Sequence, residues 1–335
     1  MKKLGIISSK FIFILGFLAC FVLLGCNKNS NAKKTENTIS IVTTTFPCYD
    51  AVRAVLGELI NSDFVELKLL VKPGTEVHSY DPSPSDLIAI KNSDLFVYVG
   101  GESDSWIDRI LHAEEDKINS LELIDFVDIV KGEHHHEHEH SEECDDDHES
   151  EKINRHEIDE HIWTSPINEI KIIDSVCEEL KNLVNVKNHS EIISKLDENA
   201  KNYISNVEKV SEEIKNVVNK SNKFIVVADR FPLVYFAQYF GIEYMAAFSG
   251  CSTAIETSTA TISELIETVK NKNLNAVYYM ELGNHKIADI VAESCGVESL
   301  LLQSVQNVTR KDFENGETWV SLMERNKKAL EQGFN

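Results

Sequence analysis

The stretch Asn188-His-Ser-Glu-Ile-Ile-Ser-Lys-Leu-Asp-Glu-Asn-Ala-Lys-Asn-Tyr-Ile-Ser-Asn-Val-Glu-Lys-Val-Ser-Glu-Glu-Ile-Lys-Asn-Val-Val-Asn219 decides how the rest of the chain is read. Along it Ile193, Leu196, Ala200, Tyr203, Val207, Val210, Ile214 and Val217 follow one another in alternating steps of three and four residues. That period predicts one unusually long helix. At ~1.5 Å per residue, about 32 residues extend ~48 Å, enough to run the length of two small lobes. Such a seam serves either as a coiled-coil partner surface or as one face of a scaffold helix packed along its own chain. The scaffold is the preferred reading.

On the N-terminal side of this element, strand and helix patterns alternate. Strands are expected at 39–44, 65–71, 95–99 and 121–124, and helices at 50–59, 84–91, 106–112 and 166–183. The helix at 84–91 opens on Ser83 with Asp86 three residues on, a capping box with proline in its first turn. On the C-terminal side the alternation restarts. Strands are expected at 224–228, 244–248, 276–280 and 300–302, with helices at 232–240, 261–270, 286–294 and 318–332. A capping box at Thr261 and Glu264 is expected to open the helix at 261–270.

The fold class is therefore α/β: two Rossmann-like lobes with mostly parallel sheets, joined by one long rigid helix. About 300 residues beyond the leader exceed the usual size of a single core, which favours two domains. The expected boundaries are an N-terminal lobe at 38–186, a linking helix at 187–222 and a C-terminal lobe at 223–335. In open α/β sheets ligands sit beyond the carboxyl ends of the strands. Four residues satisfy that rule: His78 after the second strand, His161 before the helix at 166, Asp229 at the end of the strand opening the second lobe, and Glu281 after the strand at 276–280. His285 follows close behind Glu281.

A second signal stands inside the first lobe. Eight of the twelve histidines fall between His134 and His161, in a tract crowded with carboxylates within the loop 131–160. Neutral imidazole offers a nitrogen lone pair to borderline cations such as Zn²⁺. Interleaved acids add oxygen ligands and a negative potential. His134, His135, His136, His138, His140 and His148 thus form a metal-collecting loop rather than a merely solvated charge run. A mobile tract gives no fixed geometry, so an ordered site is expected elsewhere. From His140 to His161 the chain spans up to about 70 Å fully extended, which lets the tract reach the cleft.

The N-terminus reads as a lipoprotein signal peptide over 1–25. Met1-Lys2-Lys3 and Lys10 supply a basic segment, and 11–24 is an apolar run too short for a comfortable membrane span. Leu23-Leu24-Gly25-Cys26 resembles the bacterial lipobox, with Cys26 as the acylated residue. The polar segment 26–37 is a tether, so the folded part works outside the cytoplasm, lipid-anchored to the cell membrane. The formal charge is −22, and without Lys2, Lys3 and Lys10 the mature chain is near −25. Such acidity excludes electrostatic binding of nucleic acid and makes cations the natural partners. Of seven cysteines none lies in a CxxC spacing, so a structural zinc ribbon is unsupported, while a Cys251–Cys295 bridge is possible.

These features resemble the zinc- and manganese-binding solute receptors of bacterial ABC transporters, the cluster A-I lipoproteins. The resemblance runs from Thr43-Thr-Thr-Phe-Pro47 through Pro73-Gly-Thr-Glu-Val-His-Ser-Tyr-Asp-Pro-Ser-Pro-Ser-Asp86 and His161-Ile-Trp163 to Tyr235-Phe-Ala-Gln-Tyr-Phe-Gly241 and Leu322-Met-Glu-Arg-Asn326. It implies that His78 and His161 are the two first-lobe ligands and that the His-rich insertion marks a zinc member rather than a manganese one. The second lobe departs from the family pattern. Where members commonly carry His or Glu eleven residues before the glycine matching Gly241, this chain has Arg230, which cannot bind a cation. The usual fourth ligand, an acid after the last strand, falls near Gln303-Ser304, where no carboxylate stands. Asp229, Glu281 or His285 is left to take over.

The function implied is capture of Zn²⁺ and its delivery to an ABC-transporter membrane permease by a monomer, with no catalysis. Mn²⁺ is the rival cargo, because oxygen-rich ligation suits it. A secreted zinc hydrolase would need an open coordination position and a general base such as Glu76 or Glu160, but the one HExxH spelling, His136-Glu-His-Glu-His140, is part of the low-complexity His-rich tract rather than of a predicted helix, and no nucleophile motif is present. Nothing in the residues encodes host adhesion.

Overall fold

The computed structural model describes residues 38–113, 118–130, 158–248 and 257–334. The signal segment and tether with Cys26 lie outside the described residues, as does the tract carrying His134, His135, His136, His138, His140 and His148. Residues 37–335 form one compact unit.

The first sheet holds β1 (Ile39–Thr43), β2 (Val65–Leu69), β3 (Leu95–Tyr98) and β4 (Ser120–Glu122), in the order β2-β1-β3-β4 with every pairing parallel. The second holds β5 (Phe224–Val227), β6 (Glu243–Ala246), β7 (Ala276–Met280) and β8 (Glu298–Leu302), in the matching order β6-β5-β7-β8, again all parallel. Parallel neighbours need crossover connections, and helices supply them: α1 (Phe46–Leu56), α2 (Pro84–Lys91) and α3 (Ser105–Ala113) in the first lobe, α6 (Val234–Phe240), α7 (Thr259–Asn271) and α8 (Lys286–Cys295) in the second. Between the lobes run α4 (Pro166–Val186) and α5 (Ile193–Val218), and the chain closes with α9 (Arg310–Glu314) and α10 (Trp319–Phe334).

Strand side chains alternate between faces, and each face has its own core. Ile39, Ile41, Leu95 and Val97 face one side of the first sheet, while Val42, Phe96 and Tyr98 face the other beneath Trp106 and Ile107. Ile225, Val227 and Tyr278 face inward from the second sheet, and Val226 and Val277 outward under Leu265 and Val291. The two inward faces share one core with α1, α4, α5 and α10. This shared helical layer is why residues 37–335 cohere as a unit.

The helix read from 188–219 is shorter at its start. Asn188 takes φ 62°, the left-handed region open to asparagine, and a 3-10 turn at Ser190–Ile192 precedes α5. Its buried face is Leu196, Ala200, Val207, Val210, Ile214 and Val218, packed on α4, α1 and α10 of the same chain. The seam is thus a scaffold face. Three further expectations need correction. The first helix begins at Phe46, because Pro47 presets its first turn, and it ends at Gly57 with φ 54°. Helix α7 is capped by Ser258, whose hydroxyl accepts from Thr261 N–H at 3.0 Å, so Thr261 lies inside the helix. Cys295 stands as a free thiol against the Ile266 carbonyl, and Cys251 lies outside the described residues.

Candidate metal centre

His78 sits in the β2–α2 loop, ahead of the capping box in which Ser83 accepts from Asp86 N–H. His161 caps a 3-10 turn, Ile162–Thr164, and Pro166 then starts α4. His161 is fully buried and His78 partly so, its side chain 17% exposed. Their ring centroids lie 6.0 Å apart at 67°. His78, Glu160 and His161 each offer a ligand atom within 4.8 Å of one another.

Hydrogen bonds define which ring nitrogen is left for an ion. The Ser103 N–H donates to Glu160 Oε2 at 2.8 Å, and the Ser103 hydroxyl donates to Glu160 Oε1. A hydroxyl has one proton. Having given it to the carboxylate, Ser103 Oγ accepts from His78 Nδ1 at 2.8 Å. A neutral His78 therefore carries its proton on Nδ1 and its lone pair on Nε2. The Gln306 amide nitrogen, 3.1 Å from that Nε2, is placed to donate to the same lone pair. His161 follows the same logic, since its Nδ1 lies 2.9 Å from Asp159 Oδ1, which can only accept. Both neutral imidazoles thus carry their proton on Nδ1, the arrangement in which a partner on the far nitrogen of a ligating histidine fixes the tautomer and raises basicity.

The supporting contacts cross between lobes. Trp163 Nε1–H donates to the Ser304 carbonyl at 2.8 Å, and Tyr235 O–H donates to the Asp159 carbonyl at 2.7 Å. Gly101, with φ 99°, lets the β3–α3 loop approach Glu160, because a Cβ there would lie 2.8 Å from Glu160 Cβ.

The second-lobe candidates line the same cleft, of about 530 Å³ including its open mouth, together with His78 and His161. Neither joins the tight group of three. Glu281 Oε2 accepts from Ser304 N–H at 2.7 Å, and Oε1 accepts from the Ser304 hydroxyl. Burial raises the Glu281 carboxyl, opposed by those two bonds and by the facing His161 ring. Glu281, from the end of β7, thus lays a carboxylate against the β8 loop, where Gln303 and Ser304 carry none. Leu282 (φ 59°) and Val305 (φ 64°) flank this contact in the left-handed region, each at a cost of about 1–2 kcal/mol. Asp229 is engaged differently: Oδ1 accepts from Arg230 N–H at 2.8 Å and Oδ2 from Met280 N–H at 3.3 Å. Burial raises its carboxyl as well. His285 is exposed, binds Asp289 and stays outside the cleft. Ser103, Asp159, Glu160 and Gln306 were not assigned binding roles by sequence reasoning. Only the run Asp159-Glu160-His161 carried a signal for any of them.

Two parallel α/β sheets sharing a helical layer, with buried imidazoles at the carboxyl ends of the strands, define the class of two-lobed solute-binding proteins. The chain belongs to the family described as "Zinc-uptake complex component A periplasmic", whose sequence profile matches residues 41–333. It is 27% identical over 333 residues to the zinc-binding lipoprotein AdcA of Streptococcus pneumoniae serotype 4, covering 99% of this chain and 61% of that protein. It is 24% identical over 324 residues to the high-affinity zinc uptake system protein ZnuA of Bacillus subtilis strain 168, covering 94% and 95%. Among solved structures, the Zn(II)-bound ZnuA-like domain of Streptococcus pneumoniae AdcA matches with TM-score 0.68 and 25% identity over 89% of this chain and 99% of that one. The chain thus spans about three fifths of the AdcA length and nearly all of that domain.

Proposed function

We propose that the chain is an extracytoplasmic receptor that captures Zn²⁺ in the interlobe cleft and delivers it to an ABC-transporter permease for import. The observation that carries this reading is the pair of imidazoles, His78 and His161, each bonded at Nδ1 to an acceptor, with ring centroids 6.0 Å apart and ligand atoms within 4.8 Å of one another and of Glu160. Glu281 supplies a carboxylate from the second lobe, and a water, or the Gln306 oxygen once that amide turns over, completes four-coordination. Asp229, bonded through both oxygens to backbone N–H groups, holds the β5 and β7 ends that frame the cleft. Two nitrogen donors favour Zn²⁺ over Mn²⁺, as do the zinc-binding relatives. The chemistry of this reading is capture and release. Cys26 anchors the protein to the membrane, the body works as a monomer, and the His-rich tract collects metal for the cleft.

Native mass spectrometry of protein from metal-replete cells, with residues 133–149 deleted, tests the assignment. One zinc per chain is expected after deletion, and none in the His78→Ala, His161→Ala double variant. Zinc lost with the tract alone, or kept by the double variant, contradicts it.

A further inference from the structure

Arg230 occupies the cleft wall yet can donate only, so the capture reading leaves it without a role. Its guanidinium donates to Glu76 Oε2 at 3.1 Å, from the β5–α6 loop of the second lobe to the β2–α2 loop of the first. The other oxygen of that carboxylate, Oε1, accepts from His78 N–H at 3.4 Å. A three-residue path therefore links the second lobe to a candidate ligand. The same loop is also tied across the cleft by neutral bonds: Asn307 Nδ2 donates to the Lys72 and Thr75 carbonyls at 3.1 and 2.8 Å, and Gly74 N–H donates to the Val308 carbonyl at 2.7 Å. Those bonds hold the loop regardless of salt. The Arg230–Glu76 pair, with side chains 34% and 47% exposed, is open to screening.

We propose that Arg230 is a positioning residue that acts on His78 through Glu76, an ionic tether across the cleft mouth that slows escape of the bound cation. The inference rests on the capture reading. Release requires the His78 loop to draw away from the second lobe, and the tether must break as it does so. Entry of the ion is less affected, because affinity differences among close variants fall mostly on the off-rate. Pairing with Glu76 also neutralises the guanidinium, which alone would repel an incoming cation. A half-exposed pair of this kind changes an equilibrium or rate by about threefold to fivefold.

The test is the rate at which zinc-loaded full-length protein yields Zn²⁺ to excess chelator. It is measured at about 0.01 M and about 1 M salt, where screening lengths are ~30 Å and ~3 Å. Arg230→Gln is expected to release zinc about threefold to fivefold faster at low salt and at the wild-type rate at high salt, still binding one ion per chain. Arg230→Lys is expected to restore slow release, and Glu76→Gln to release zinc as fast as Arg230→Gln with no further gain when the two are combined. An unchanged or slower rate in Arg230→Gln, or a faster one indifferent to salt and not restored by Arg230→Lys, overturns the tether. A wild-type chain that retains no zinc overturns the capture reading itself, and the tether with it.

Discussion

At the scale of single residues, the candidate centre depends on partners that carry no metal. The Ser103 hydroxyl donates its hydrogen bond to Glu160 and so accepts one from His78 Nδ1–H. Removing that hydroxyl loosens the ring and its tautomer. Ser103→Ala is expected to weaken zinc binding about tenfold or more, read by competition with a calibrated chelator, and unchanged affinity would argue against the relay. A neighbouring carboxyl gives a pH prediction. Burial, aided by the charge of Glu160, pushes Asp104 up from 3.8 to about 7. The folded state then holds a proton that the unfolded chain has released. The stabilising contribution is complete below pH about 4 and is lost as pH rises through about 7. In metal-free protein, Asp104→Asn is expected to flatten the fall in melting temperature between those values, and a slope equal to wild type would contradict the assignment. At this scale His78 and His161 were legible in the sequence, because an imidazole beyond a strand end is an uncommon choice. Ser103 and Gln306 were not, since serine and glutamine suit any loop and only the fold brings them to His78.

At the scale of elements, Asp50 on α1 joins three helices. Its Oδ2 accepts from Tyr203 O–H on α5 at 2.7 Å and from Trp319 N–H, in the first turn of α10, at 2.6 Å. Arg53 bridges the same carboxylate to the Glu317 carbonyl. A carboxylate suits a helix N-terminus, and this one is buried. Asp50→Ala strands those donors and is expected to cost about 3 kcal/mol, seen as a lower urea midpoint at unchanged slope. A loss within a few tenths of a kcal/mol would show the node to be dispensable. The sequence showed the helices through their apolar period and the start of α2 through its Ser83–Asp86 capping box, but not every end. Asn188 breaks the long helix because asparagine tolerates the left-handed region, and nothing in the spacing of Leu196 and Ala200 signals that. Ser258 and Thr261 both precede apolar runs, and only the backbone geometry selects Ser258 as the cap.

At the scale of the whole molecule, the two sheets share one core with α1, α4, α5 and α10. Lobes built this way do not unfold separately. A single cooperative transition is expected, coincident by near- and far-ultraviolet dichroism, and two separated transitions would contradict the shared layer. Zinc present at a thousandfold over its dissociation constant is expected to add about 4 kcal/mol of stability. The same addition should leave the His78→Ala, His161→Ala variant where it was. The alternation of strand and helix on either side of α5 made this architecture legible. The cross-lobe contacts of Trp163, Tyr235 and Asn307 were hidden, because sequence separation says nothing about which loops meet at a cleft.

The most direct test is zinc K-edge X-ray absorption on the loaded protein with residues 133–149 deleted. The account predicts two imidazole nitrogens at ~2.0–2.1 Å, with their outer-ring scattering, and carboxylate or amide oxygen at ~2.0–2.2 Å completing the shell. A shell of oxygen alone, or one containing sulfur, would contradict the pairing of His78 with His161 around a single ion.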